Sequence, residues 1–193
     1  IEKLKKEYLQ SLHEEKDNSR ALSYGIFARH LYSEIEEGYV PTLEARSAEL
    51  KKITSASLQK LHAQLFSSPW ILSVAGDAGA MDMVIKNFSS LHTGKIQELK
   101  RFTMPALAPA RKELLAVPEK QNIEFYFGNR LPLTLQDEEY LAFSFGLDVL
   151  GKRGGFSGRL MNTVREKEGL TYAIYAWIAG ATTTASGHWH IMT

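Results

Sequence analysis

Arg165 and Tyr172 lie seven residues apart in the stretch Leu150 to Trp177, LGKRGGFSGRLMNTVREKEGLTYAIYAW. Both side chains donate hydrogen bonds, the guanidinium through a rigid fork and the phenol through its hydroxyl. Gly169 stands between them. The spacing predicts a helix from about Gly158 to Glu168, with Ser157 as its N-cap and Leu160, Met161 and Val164 on one apolar face. Glycine enters the left-handed conformation without a Cβ clash, so the helix should stop at Gly169. The run LTYAIYAWIAG that follows reads as a strand. A tight reversal at Gly169 would bring the two side chains together, either as a site or as a helix end that touches a strand.

Other residue patterns have chemistry of their own. Gly151, Gly154, Gly155 and Gly158 form a glycine-rich loop ahead of that helix. Such a loop can hold an anion, but GKRGGFSG lacks the Gly-Lys-Ser/Thr ending of a phosphate loop. His188 and His190 fall on one face of a strand, since side chains alternate. No third ligand type sits beside them, so a surface or cross-strand pair is expected. His13 is followed directly by Glu14 and Glu15, a spacing that does not converge on one ion. Glu34-Ile35-Glu36-Glu37 reads as a solvated acidic loop.

These patterns must be carried by ordinary globular material. The 193 residues are 44% hydrophobic and 23% charged, enough for one large domain or parts of two. A net charge of +1 leaves no basic excess for a nucleic-acid footprint. Absence of cysteine excludes disulfides and thiolate metal sites. No apolar run approaches the roughly 20 residues of a membrane span. The chain opens without Met inside a helix, as a piece of a longer product would.

Taken in order, periodicity predicts helices over Ile1 to Lys16, Ser19 to Tyr32, Glu44 to Leu50 and Thr54 to Phe66. Leu58, Leu61 and Leu65 form the inward face of the last of these. Trp70 to Ala75 reads as a buried strand and Gly79 to Phe88 as a helix. Prolines 105, 109 and 118 mark a connector. Asn122 to Phe127 reads as a strand, Asn129 to Pro132 as a loop, and Asp137 as the cap of a helix to Leu150 that buries Tyr140, Leu141, Leu147 and Leu150. Trp70, Trp177 and Trp189 are expected in the core. Gly187 to Thr193 begins another strand. The organisation is residues 1–95, a linker over 96–120, and a second lobe over 121–193.

Three segments carry a resemblance: WILSVAGD at Trp70 to Asp77, LPLTLQDEEYLAF before the second-lobe helix, and LGKRGGFSGRLMNTVREKEGLTY. Together they resemble the pitrilysin/insulinase-type metallopeptidases, closest to the mitochondrial processing peptidase-like bacterial members. The resemblance implies an α+β fold of two homologous lobes, antiparallel sheets covered by helices, cut at both ends. It implies zinc bound by an upstream His-x-x-Glu-His and by a later Glu. Here Ser11 stands at the later position, and a hydroxyl is a poor ligand beside that carboxylate. Enlisting Glu7, Glu14 or Glu15 loses the match at the next helix. No metal ligand is therefore assigned to this chain, and zinc is expected in a partner or in a missing upstream part.

In the family an Arg and a Tyr at this spacing reach the peptide at the zinc, which assigns Arg165 and Tyr172 a catalytic role. They would donate to the oxyanion that develops on the attacked carbonyl. The glycine loop, with Gly154, Gly155 and Phe156, would lie over the substrate channel. The resemblance implies the metal-free subunit of a heterodimeric endopeptidase, with a peptide substrate and a zinc-bearing homologous subunit (or a second copy) as partners. Two other readings stay open: part of a complete zinc peptidase, and a pseudopeptidase scaffold that only binds peptides. Bacterial relatives of this type are often exported to the periplasm.

Overall fold

A computed structural model describes residues 1–68, 72–89, 110–151 and 157–193. It opens with α1 (Glu2–Glu15) and α2 (Ser19–Leu31). Asn18 starts α2: its Oδ1 accepts from the Ala21 N–H at 3.1 Å. That bond satisfies one of the donors a helix start leaves unpaired. Thr42 caps α3 (Leu43–Lys52), and Thr54 caps α4 (Ser55–Ser67) in a reciprocal capping box with Ser57. α5 (Ala78–Ser89) begins behind Asp77, whose Oδ1 accepts from the Gly79 N–H at 2.9 Å.

Among the described residues that follow, three strands build an antiparallel sheet. Its strands are β1 (Tyr126–Arg130), β2 (Tyr175–Ala179) and β3 (His188–Met192), in the order β1-β3-β2. β3 is central: Arg130 and Ala179 both pair with His188, and Tyr126 and Tyr175 both pair with Met192. Alternation divides β3 between two layers. His188, His190 and Met192 are buried, and the two histidine rings lie against Tyr24 and Phe27 of α2. Trp189 points the other way, onto Phe127 and onto Phe143 of α6 (Glu139–Gly151). Helices thus cover both faces of the sheet, and the class is α+β. Gly128 is required by this packing, because a Cβ there would come within 2.8 Å of the His190 Cα.

Several expectations change. Of the strand expected over Trp70 to Ala75, Trp70 and Ile71 lie outside the described residues. Leu72 to Ala75 is irregular, with Leu72 46% exposed. The strand expected at Asn122 to Phe127 lies later, because pairing with β3 sets its ends and draws in Asn129 and Arg130. Asp137 closes the turn ahead of α6: its Oδ2 accepts from the Thr134 N–H at 2.6 Å. Leu58, Leu61 and Leu65 are exposed, and so is Leu141 of α6. Helical spacing defines a face but not what lies against it, and no described element covers these faces. Of the linker over 96–120, only Ala110 to Lys120 is described, without helix or strand.

The loop after α2 also departs from expectation, because Glu36 is not solvated. Its Oε1 lies 2.6 Å from Arg130 Nη1, with side chains 6% and 5% exposed. Arg130 also donates to the Leu31 carbonyl at 3.2 Å, and its guanidinium lies 4.2 Å from the centre of the Tyr32 ring. Glu36 Oε2 accepts from the Ser33 N–H at 2.8 Å and from the Ser33 hydroxyl at 2.7 Å. Burial pushes the Glu36 carboxyl up, but the Ser33 bonds and Arg130 together hold it below the usual carboxylate range.

Removing one partner would leave the other charge buried and alone, at a cost of about 3–5 kcal/mol. Glu36→Gln and Arg130→Met should each lower the urea midpoint, and Glu36→Met with Arg130→Met should recover much of the loss. A double variant less stable than both singles would contradict this account.

Candidate functional site

The helix that carries Arg165 is not a plain α-helix. Residues Met161–Lys167 form a π-helix, and the Glu168 N–H bonds the Thr163 carbonyl five residues back at 3.1 Å. Each helical residue turns the chain by about 100°, so an extra residue in a turn re-aims the side chains after it. Gly158, not Ser157, stands at the start: its carbonyl accepts from the Asn162 N–H at 3.0 Å. Gly158 has φ 121, and a Cβ there would meet the Gly151 Cα at 3.0 Å. Gly169 stops the helix as expected, with φ 63. Its N–H bonds the Arg165 carbonyl, and the Leu170 N–H bonds that of Val164, both at 3.0 Å.

This reversal brings the two candidate side chains together. The Arg165 guanidinium lies 5.2 Å from the centre of the Tyr172 ring, a cation–π contact. Tyr172 is 76% exposed, so its hydroxyl faces solvent. Arg165 is more enclosed and lies 3.4 Å from Glu166 Oε1. Tyr172 stands in a bend ahead of β2 and not on the strand, which is shorter than the apolar run suggests. A guanidinium and a phenol are thus neighbours, and both are hydrogen-bond donors. Gly154, Gly155 and Phe156 lie outside the described residues. Ser11 is on the exposed side of α1. Among the described residues no three His, Asp or Glu side chains gather as a metal site.

Residues 52–191, well over half of the chain, match the family described as the peptidase M16 inactive domain. The chain belongs to that family. A crystal structure of a peptidase M16 inactive domain from Pseudomonas fluorescens shares the fold, with a TM-score of 0.74 at 24% identity. The match covers 98% of this chain and 45% of that chain, so this chain spans less than half the length of its M16 relative. No curated protein matches it. Among the described residues no helix is long and apolar enough to cross a membrane.

Within this M16 chain the second candidate cluster, His188 and His190, proves to be interior and not a surface pair. The two are 3% and 2% exposed, and their rings stack 4.9 Å apart. Tyr126 lies 5.5 Å from His190 on one side and Trp177 lies 4.2 Å away on the other, measured between ring centres. The Tyr32 hydroxyl shares a 2.7 Å hydrogen bond with His188 Nδ1. His188 Nε2 and Arg130 Nε are buried without a hydrogen-bond partner among the described residues. Burial, then His190, then Arg130 hold the His188 imidazole down at about 4. Burial above all pushes the Tyr32 phenol up to about 12, against the lowering effect of Arg130. Tyr32, Glu36 and Arg130 were not marked as special by sequence. The one signal available was that His188, His190 and Met192 share a phase on a strand.

Linkage fixes the sign of the pH effect. Unfolded, His188 takes up a proton near its ordinary 6.5; folded, it resists until about 4. Stability is therefore full above about 6.5 and falls as the pH drops to about 4, by about 3 kcal/mol in all. The urea midpoint should decline through that window, and His188→Gln should flatten the decline. An unchanged decline in the variant would assign it to other groups.

Proposed function

We propose that this chain is the metal-free partner in a zinc endopeptidase, in which it holds an extended peptide and supplies Arg165 and Tyr172 to the carbonyl under attack. The observation that carries the reading is the Arg165–Tyr172 pairing at 5.2 Å with the phenol open to solvent. Two donors that reach one oxygen would stabilise the negative charge that builds on a peptide carbonyl. Ser11 at the position of the family's carboxylate ligand supports a role without metal in this chain. Zinc, in this reading, comes from a homologous subunit. β1 and β2 are outer strands among the described residues, and an extended peptide adds readily to such an edge. The division into lobes at 1–95 and 121–193 belongs to the same reading, and α2 then makes a contact between the two.

Tyr172→Phe tests the donor role, since it keeps the ring beside Arg165 and removes only the hydroxyl. The assembled enzyme should lose about a hundredfold in kcat on an extended peptide, with a smaller change in KM. Unchanged kcat would remove the catalytic role and leave a scaffold that binds peptides.

A further inference from the structure

Tyr172 is exposed, yet the backbone on both sides of it is tied down. On the helix side, Glu168, Gly169 and Leu170 all donate to carbonyls of the π-helix. On the strand side, the Ile174 N–H points to the sulfur of Met161 at 3.4 Å, and Met161 is fully buried. Between these anchors lie two threonine hydroxyls. Thr171 Oγ1 accepts from the Ala173 N–H at 3.3 Å and lies 3.0 Å from the Ala173 carbonyl. Thr193, just past β3, places its hydroxyl 3.0 Å from the same carbonyl and in contact with Thr171 Oγ1. Two hydroxyl protons serve two of these three contacts at a time. The residues before and after Tyr172 are thereby joined to each other and to the end of the central strand.

We propose that Thr171 and Thr193 form a hydroxyl clasp that sets Tyr172 beside Arg165. They are positioning residues: neither would touch the peptide. The inference rests on the reading of Tyr172 as a donor to the substrate, and it adds the reason an exposed phenol can be aimed. An exposed side chain on a loose bend would sample many directions. A displacement of about 1 Å at a reacting group can cost a hundredfold in rate, so a donor of this kind needs its backbone fixed. A valine at either position keeps the shape and removes the hydroxyl, whereas a serine keeps the hydroxyl.

The test has a readout apart from activity. Protons of Arg165 near the Tyr172 ring should show a ring-current shift in NMR spectra of the full chain, identified by its loss in Tyr172→Leu. Thr171→Val should remove most of that shift, and Thr171→Ser should retain it. Thr193→Val reports on the same clasp from the β3 side if Thr171→Val does not fold. In the assembled enzyme Thr171→Val should lower kcat on a fluorogenic extended peptide by about tenfold with little change in KM, and Thr171→Ser should restore it. Retention of the full shift in both valine variants would overturn the clasp, whatever the activity. Loss of the shift, with cleavage unchanged both in Thr171→Val and in Tyr172→Phe, would uphold the clasp and remove the donor reading instead.

Discussion

His188 lies inside the molecule as a neutral imidazole, held down to about 4 by burial, His190 and Arg130, and that requirement shapes what packs around it. A buried charge without a counter-ion is costly, and the Glu36 carboxylate is already committed to Arg130. Arg130 in turn lies over Tyr32, whose hydroxyl bonds His188. Helix α2, the loop that follows it, β1 and β3 are thus joined through one buried polar network. The ion pair keeps the arginine charge from standing alone beside the histidines. The aromatic rings of Tyr24, Phe27, Tyr126 and Trp177 fill the space between.

The same strand that carries the histidines leads to the candidate site. β3 runs from His188 to Met192, and the next residue, Thr193, touches Thr171 beside Tyr172. A strand held on both edges and covered on both faces gives Thr193 a fixed place. The π-helix provides the other fixed point, through the carbonyls that anchor residues 168–170 and through Met161. Arg165 and Tyr172 therefore meet where the hydrogen-bonded end of the π-helix approaches the end of β3, although Tyr172 itself lies at the surface.

Much of this was legible in the sequence. The helices followed from apolar spacing and from caps such as Asn18 and Thr54, which act within a few residues. Gly169 announced the reversal, and the reversal announced that Arg165 and Tyr172 would meet. What escaped depends on partners distant in the chain. Tyr32 and His188 are 156 residues apart, and nothing local marks Glu36, among its acidic neighbours, as the one that goes inside. The start of β1 was misplaced because register with β3, not alternation within 122–127, decides it. The extra residue of the π-helix left no trace in a pattern that also suits an α-helix. The leucines of α4 illustrate the reverse limit: their spacing is correct for a packing face, yet no described element lies against it.

The chain belongs to the peptidase M16 inactive-domain family; in the proposed role Arg165 and Tyr172 act as donors, while Ser11 stands in for the family's metal-binding carboxylate. The central claim is that the pair is half of a site completed by another polypeptide. Cleavage of a fluorogenic extended peptide should be measured with the full chain alone, with a homologous zinc-bearing subunit alone, and with the two mixed. The account predicts turnover in the mixture only, abolished by a chelator. Robust, chelator-sensitive turnover by this chain alone would contradict it.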